Sequence, residues 1–274
     1  MAQDKPAYRL FDGQGKALSW RQMLKLAADA DVICFGELHN NPIAHWLQHE
    51  LAAELIRERG AERVAVGMEM FETDQQTVLD RYLSGEWDRE RLGQETRLWP
   101  NFDTDYAPLV NLCRTQGVQV WATNAPREYA RMVARGGLAA LDTLPPAGKA
   151  LLPQLPIEID YELPSYQRMR AMVSGHGPMR AEDFIAAQAL KDATMAWRIL
   201  GGLPAGGLLL HLNGSFHSDF HEGTVWYLKQ SKPLLKVLVI STIEQESIEK
   251  PAAEALRAGD VLLLVPASMT KTYE

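Results

Sequence analysis

Asp31-Val-Ile-Cys-Phe-Gly36-Glu37-Leu38-His39-Asn40-Asn41-Pro42 is the stretch on which the fold turns. Its first half is a short apolar run rich in strand formers, held between a charge and a glycine, and it reads as a buried strand. Its second half is polar and ends in a proline, where a helix can begin. Ala44, Leu47, Leu51, Leu55 and Ile56 then recur at helical spacing as far as Gly60, a natural stop. Strand, turn and helix form one unit, with Glu37 and His39 in the turn.

The same grammar repeats downstream. Arg63-Val-Ala-Val-Gly-Met-Glu69 predicts a second strand, followed by Thr73 or Asp74 capping a helix toward Tyr82. Val118-Gln-Val-Trp-Ala122 predicts a third, followed by a helix from Pro126 to Gly136. Later strands are expected at Gly207–Leu212, Leu235–Ile240 and Val261–Val265. Alternating strands and helices imply crossover connections, hence an α/β fold with a central, mainly parallel sheet flanked by helices. Between Leu138 and Gly202 the pattern changes: Pro145, Pro146, Pro153, Pro156 and Pro164 break the chain and helix-like segments follow without a strand. Ala181 to Leu200 is the clearest of these, with Phe184, Ala187, Leu190, Met195 and Ile199 on one side. The expected organisation is therefore an α/β core at 1–137 and 203–274 with a smaller helical subdomain at 138–202.

Composition narrows the function classes. The 274 residues are 46% hydrophobic and 23% charged, with no apolar run long enough to cross a bilayer. A net charge of -7 without a basic cluster argues against a nucleic-acid partner. Cys34 and Cys113 fall in apolar runs and read as small core residues. Two cysteines suit the cytosol and also a periplasmic protein without a disulfide. The opening residues Met-Ala-Gln-Asp-Lys-Pro show neither a signal segment nor a lipobox cysteine.

Ligands of open parallel sheets bind outside the carboxyl ends of the strands. Four predicted strand ends carry polar residues: Gly36-Glu37-Leu38-His39-Asn40, Glu69-Met70-Phe71-Glu72, Thr123-Asn124-Ala125-Pro126-Arg127 and Asn213-Gly214-Ser215-Phe216-His217. Glu37, His39, Glu69 and His217 are the candidate catalytic set, with Asn124 and Arg127 in support. Two imidazoles and two carboxylates suit a divalent metal, with Glu37, His39 and His217 as ligands and Glu69 as base, and they suit general acid/base work equally. Blander roles compete. Glu37 could cap the following helix, and Glu69, a charge at the end of an apolar strand, could pair with Arg127. His45 and His49, at i and i+4 on the first helix, have a spacing that can bind metal and equally read as a solvated helix face, His211 reads as a hydrogen-bonded core histidine, and His221 as either an extension of the site or a loop residue. No phosphate loop, G-x-S-x-G elbow or C-x-x-C pair occurs.

On Gly36-Glu37-Leu38-His39, Glu69-Met70-Phe71, Gly214-Ser215-Phe216-His217 and the segment Phe184-Ile-Ala-Ala-Gln188-Ala-Leu-Lys-Asp192-Ala-Thr-Met195-Ala, the sequence resembles the ChaN family of iron-regulated, haem-binding bacterial lipoproteins. That family stands within the wider Tiki, TraB and erythromycin-esterase-like group. The resemblance implies an α/β core with a smaller helical domain, haem bound between two subunits with a tyrosine on the iron, and a role in haem or iron uptake at the periplasmic face of the outer membrane, alongside a haem receptor. It departs at the N-terminus, where the lipobox is missing, so a cytoplasmic location stays open. The wider group implies metal-dependent peptidase or esterase-type hydrolysis at Glu37, His39, Glu69 and His217, which is the alternative function. Tyr129, Tyr161 and Tyr166 are the candidate haem tyrosines, Tyr166 preferred. A porphyrin needs an apolar slot, an axial donor and cations, and Tyr161 to Met179 offers Tyr166, His176, Met169, Met172, Met179, Arg168 and Arg170. On this reading the haem segment and the strand-end rim are separate sites.

Overall fold

The computed structural model describes residues 5–173 and 180–273. Its centre is an eight-stranded sheet in the order β2-β1-β8-β7-β3-β6-β4-β5. The six predicted strands are all present, as β3 (Val32–Glu37), β4 (Val64–Glu72), β5 (Gln119–Asn124), β6 (Leu208–Gly214), β7 (Val237–Gln245) and β8 (Val261–Pro266), and all run parallel. The α/β reading therefore holds. The remaining two strands, β1 (Arg9–Asp12) and β2 (Ala17–Leu18), form a small hairpin antiparallel to β8 that the sequence reading did not anticipate. β1 is too short to show period-2 alternation, although Gly13 and Gly15 between the two strands are turn residues.

Period-2 alternation sorts the buried strands onto two faces. Ile33, Phe35, Val66 and Leu210 pack on one side with α1 (Trp20–Ala27), α2 (Pro42–Arg59), α3 (Gln76–Leu83), α4 (Arg89–Glu95) and α5 (Ala107–Gln116). Val32, Cys34, Ala65 and Leu209 pack on the other with α9 (Ala181–Gly202) and α10 (Thr224–Ser231). Both cysteines are buried and free, and burial pushes each thiol up to about 12, as expected of core residues.

The helical cover is made of α6 (Arg127–Gly136), α7 (Pro146–Lys149), α8 (Pro164–Val173) and the first half of α9. Ile185, Leu190 and Ala193 of α9 pack there against Tyr129, Val133, Leu141, Leu152 and Tyr166. Ala196 and Ile199, further along α9, join the core beside the sheet. One helix thus spans the cover and the sheet.

Candidate functional site

The four predicted strand ends belong to neighbouring strands, β3, β6, β4 and β5, so they open on one edge. Glu37 closes β3 opposite Gly214 of β6. β4 pairs regularly with β6 only as far as Met68, and its register with β5 shifts between Met68 and Glu72. Glu69 sits in that irregularity, where its Oε2 accepts the Gly214 N–H at 2.7 Å and its side chain takes over from the ladder.

Two imidazole–carboxylate assemblies result. In the first, His39 Nδ1 lies 2.9 Å from Glu37 Oε1. Glu37 is buried, and it also accepts from the Tyr106 hydroxyl at 2.7 Å and from Gln48 Nε2 at 2.8 Å. Burial raises its carboxyl, but His45, His39 and the Gln48 hydrogen bond outweigh that and hold it below the usual carboxylate range. Burial lowers the His39 imidazole, while the Glu37 hydrogen bond and the charges of Glu69 and Glu37 raise it, and the net shift is upward. The His39 side chain stays 34% exposed, edge-on to Trp99 at 4.7 Å, and its backbone carbonyl is held by Asn101 at 2.8 Å.

The second assembly is His217, held by carboxylates at both nitrogens. Nδ1 lies 2.6 Å from Asp192 Oδ1 and Nε2 lies 3.3 Å from Glu69 Oε1. Burial would lower this ring, but Glu69 and Asp192 overcome it and raise it to about 10, so it is an imidazolium at neutral pH. Burial likewise raises Glu69, yet the His217 cation, then His39 and the Gly214 N–H, hold it far below the usual range. Asp192 is fixed in turn by the Tyr166 hydroxyl at 2.9 Å and the Thr224 hydroxyl at 3.2 Å.

This geometry revises several expectations. The Glu37 side chain does not cap the following helix: Asn41 does, accepting from the Ile43 and Ala44 N–H groups. Glu69 is paired with His217, while Arg127 pairs with Glu72 at 2.9 Å. The His217 cation holds the Glu69 carboxylate ionised, which makes it a weak proton acceptor. His45 is buried between Glu37 and Asp105, not solvated. His211 is the satisfied core histidine expected, bonded to Thr123 and Asn213 and lowered by burial to about 4. His221 pairs with Asp260 at 3.1 Å. The expected metal ligands do not form a ligand cluster, because both nitrogens of His217 and Nδ1 of His39 are spent on carboxylates. Among the described residues no group of three or more His, Cys, Asp or Glu is arranged to hold a metal ion.

The rim opens into a cleft of about 990 Å³. Glu37, His39, Glu69, His217 and the supporting Asn124 and Arg127 line it together with Met169 and Met172 of α8, so the two sites expected to be separate share one cavity. Two helices wall it with stripes at i, i+3, i+4 and i+7: Arg127, Ala130, Arg131 and Ala134 on α6, and Phe184, Ala187, Gln188 and Lys191 on α9. Tyr166 does not line it. It is 1% exposed and its hydroxyl is engaged by Asp192, so it positions that carboxylate. Arg168 stacks 5.0 Å over Phe220 and lies 3.8 Å from Glu222, and Arg170 lies 3.8 Å from Glu182; neither lines the cleft. His176 and Met179 lie outside the described residues.

Tyr106, Asn101 and Asp105 escaped the sequence reading because they come from an irregular segment around the π-helical turn Phe102–Tyr106. Asp192 left a usable signal: it falls at helical spacing from Ile185, Ala189 and Ala196, a charge on the apolar face of the helix.

Fold and cleft together define an α/β protein with a ligand cavity at the carboxyl edge of a parallel sheet. The family described as haem-binding uptake, Tiki superfamily, ChaN matches residues 23–228, and the chain belongs to that family. Haem binding or uptake is thus the function supported at family level. Among solved structures, the chain is similar to one titled cofacial heme binding to ChaN of Campylobacter jejuni, with a TM-score of 0.71, 18% identity and coverage of 94% of this chain and 96% of that one. It is also similar to an erythromycin esterase in its open conformation, with a TM-score of 0.50, 11% identity and coverage of 94% and 83%. At these identities the likeness is one of fold. A curated relative, the chloroplastic protein RETICULATA-RELATED 5 of Arabidopsis thaliana, is 25% identical over 225 residues, which is 76% of this chain and 29% of that protein's length. Among the described residues no helix is long and apolar enough to cross a membrane.

Proposed function

We propose that this protein captures haem in the cleft between the strand-end rim and the helical cover. The observation that carries the reading is the composition of the walls. Ala130, Ala134, Met169, Phe184 and Ala187 offer an apolar slot, and the cavity of about 990 Å³ is at the upper end of the ~300–1,000 Å³ range of small-molecule and cofactor pockets. Arg131 and Lys191 face the same cavity from adjacent helices and have no ion-pair partner among the described residues, which suits the two carboxylates of a porphyrin. They replace Arg168 and Arg170 in that role. Asn124 adds a buried side-chain oxygen without a partner at the cleft wall.

Met172 and Phe216, 66% and 56% exposed, stand at the cleft and give a second subunit apolar surface to close upon, which supports dimerisation on haem capture. On this reading the site of action is periplasmic and the partner is an outer-membrane haem receptor, which a family described as haem-binding uptake supports. Titrating the purified chain with hemin tests the reading. A saturable Soret shift, weakened by Arg131→Glu with Lys191→Glu, supports it, and a shift that never saturates overturns it.

A second reading rests on the Glu37–His39 pair. Its imidazole is oriented by a buried carboxylate and its Nε2 has no partner among the described residues, the arrangement of a general base for ester or amide hydrolysis without a metal. Hydrolysis of chromogenic esters that disappears in His39→Ala would support it, and equal rates in the two proteins would remove it.

A further inference from the structure

The segment that follows β8 turns back across the rim. The Ala267 N–H donates to the Gln245 carbonyl at 3.0 Å, and Lys271 pairs with Glu244. The Thr272 N–H donates to the Asn40 carbonyl at 3.0 Å, and its hydroxyl donates to Asp105 Oδ2 at 2.7 Å. Asn40 Nδ2 then donates to the Tyr273 carbonyl at 3.1 Å. Both anchor residues belong to the site. Asn40 follows His39, and Asp105 accepts from Asn101, the residue that holds the His39 carbonyl, and faces His45 behind Glu37.

Tyr273, set by these bonds, lines the cleft beside Glu37 and His39. The hydroxyls of Tyr82, Tyr106, Tyr166 and Tyr227 are all spent on protein acceptors. That of Tyr273 has no partner among the described residues. Burial, followed by the charges of Glu37 and Asp105, raises the phenol above its ordinary range, so it keeps its proton at neutral pH. Set at the mouth of the cavity beside Glu37 and His39 and not committed to a protein acceptor, that hydroxyl is free to donate to a molecule bound there.

We propose that residues 267–273 form a strap belonging to the ligand site, and that Tyr273 is a ligand-contact residue whose hydroxyl donates to an oxygen atom on the edge of the bound molecule nearest Glu37 and His39. The proposal rests on the cleft being the haem site, and the test separates the two. With hemin as probe, Tyr273→Phe loses only the hydroxyl and weakens binding about tenfold, the value of one hydrogen bond to a charged acceptor. Thr272→Val, which touches no ligand, weakens it in the same direction by loosening the strap. Unchanged affinity in Tyr273→Phe overturns the proposal and leaves haem binding standing.

If hemin does not bind the wild-type chain, the haem reading fails and the strap is judged without ligand. Cys34 and Cys113 are buried, so the new thiol in Tyr273→Cys is the one a thiol reagent reaches. It reacts more slowly than the exposed thiol of Ser247→Cys, and adding Thr272→Val speeds it. Equal rates in all three proteins overturn the proposal.

Discussion

Nδ1 of His217 lies 2.6 Å from Oδ1 of Asp192, a bond that ties the loop after β6 to a helix of the cover. Both residues are buried, and the second imidazole nitrogen meets Glu69 at 3.3 Å. The pair therefore joins the two halves of the cleft through charge removed from water.

Removing one partner of such a pair strands the others. Asp192→Ala leaves the His217 cation with one carboxylate and the Tyr166 and Thr224 hydroxyls without an acceptor. The expected loss is about 3 kcal/mol, within the range for breaking a buried ion pair, read from urea unfolding at pH 7. Tyr166→Phe, which spares the pair, costs about 1 kcal/mol in the same assay.

The pH dependence has a definite sign. His217 is raised from 6.5 to about 10, so its stabilisation is complete below 6.5 and is lost as pH rises through about 10. Glu69 is depressed from 4.5, so its stabilisation is complete above 4.5 and is lost as pH falls below it. Unfolding free energy should fall between pH 7 and 10 more steeply in wild type than in His217→Gln. Parallel curves would show that this ring is not an imidazolium in the folded state.

Gly214 gives a test of His39 that spares the fold. A β-carbon there would come within 2.8 Å of the His39 ring, while the backbone conformation, φ -58, suits any residue. Gly214→Ala should displace the imidazole at a stability cost of about 1–2 kcal/mol, the range for overpacking. The imidazole resonances of His39 should shift in an NMR spectrum, and those of His221 should not.

Glu37 and His39 should separate under alanine substitution. Glu37→Ala leaves the buried Tyr106 hydroxyl and the Gln48 amide without an acceptor and should cost about 2–4 kcal/mol. His39→Ala removes a side chain that is 34% exposed and should cost under about 1 kcal/mol. Thermal melts of the two variants decide this.

What the sequence carried and what it withheld follow from range. The run Val32–Glu37 and its five parallel counterparts announced themselves because a strand buried on both faces is apolar throughout. That polar residues cap those strands was equally visible, and four neighbouring strand ends do meet at one edge. The pairings were not legible. Glu69 could be matched with Arg127 or His217 only by knowing that β6 lies between β3 and β4, a fact of topology that no local pattern encodes. Tyr106, from a π-helical turn, and Tyr273, from an irregular segment, have no periodicity to betray them. Tyr166 looked available because its burial against Asp192 arises from helices that meet only in the folded chain.

The central claim is that haem enters the cleft walled by α6 and α9, and filling that cleft addresses it directly. Ala134 lines the cavity and is only partly buried, so Ala134→Trp should occupy the slot without unfolding the chain. In a hemin titration followed at the Soret band, wild type should saturate and Ala134→Trp, with an unchanged melting temperature, should bind at least tenfold more weakly. Equal saturation of both proteins would contradict the account.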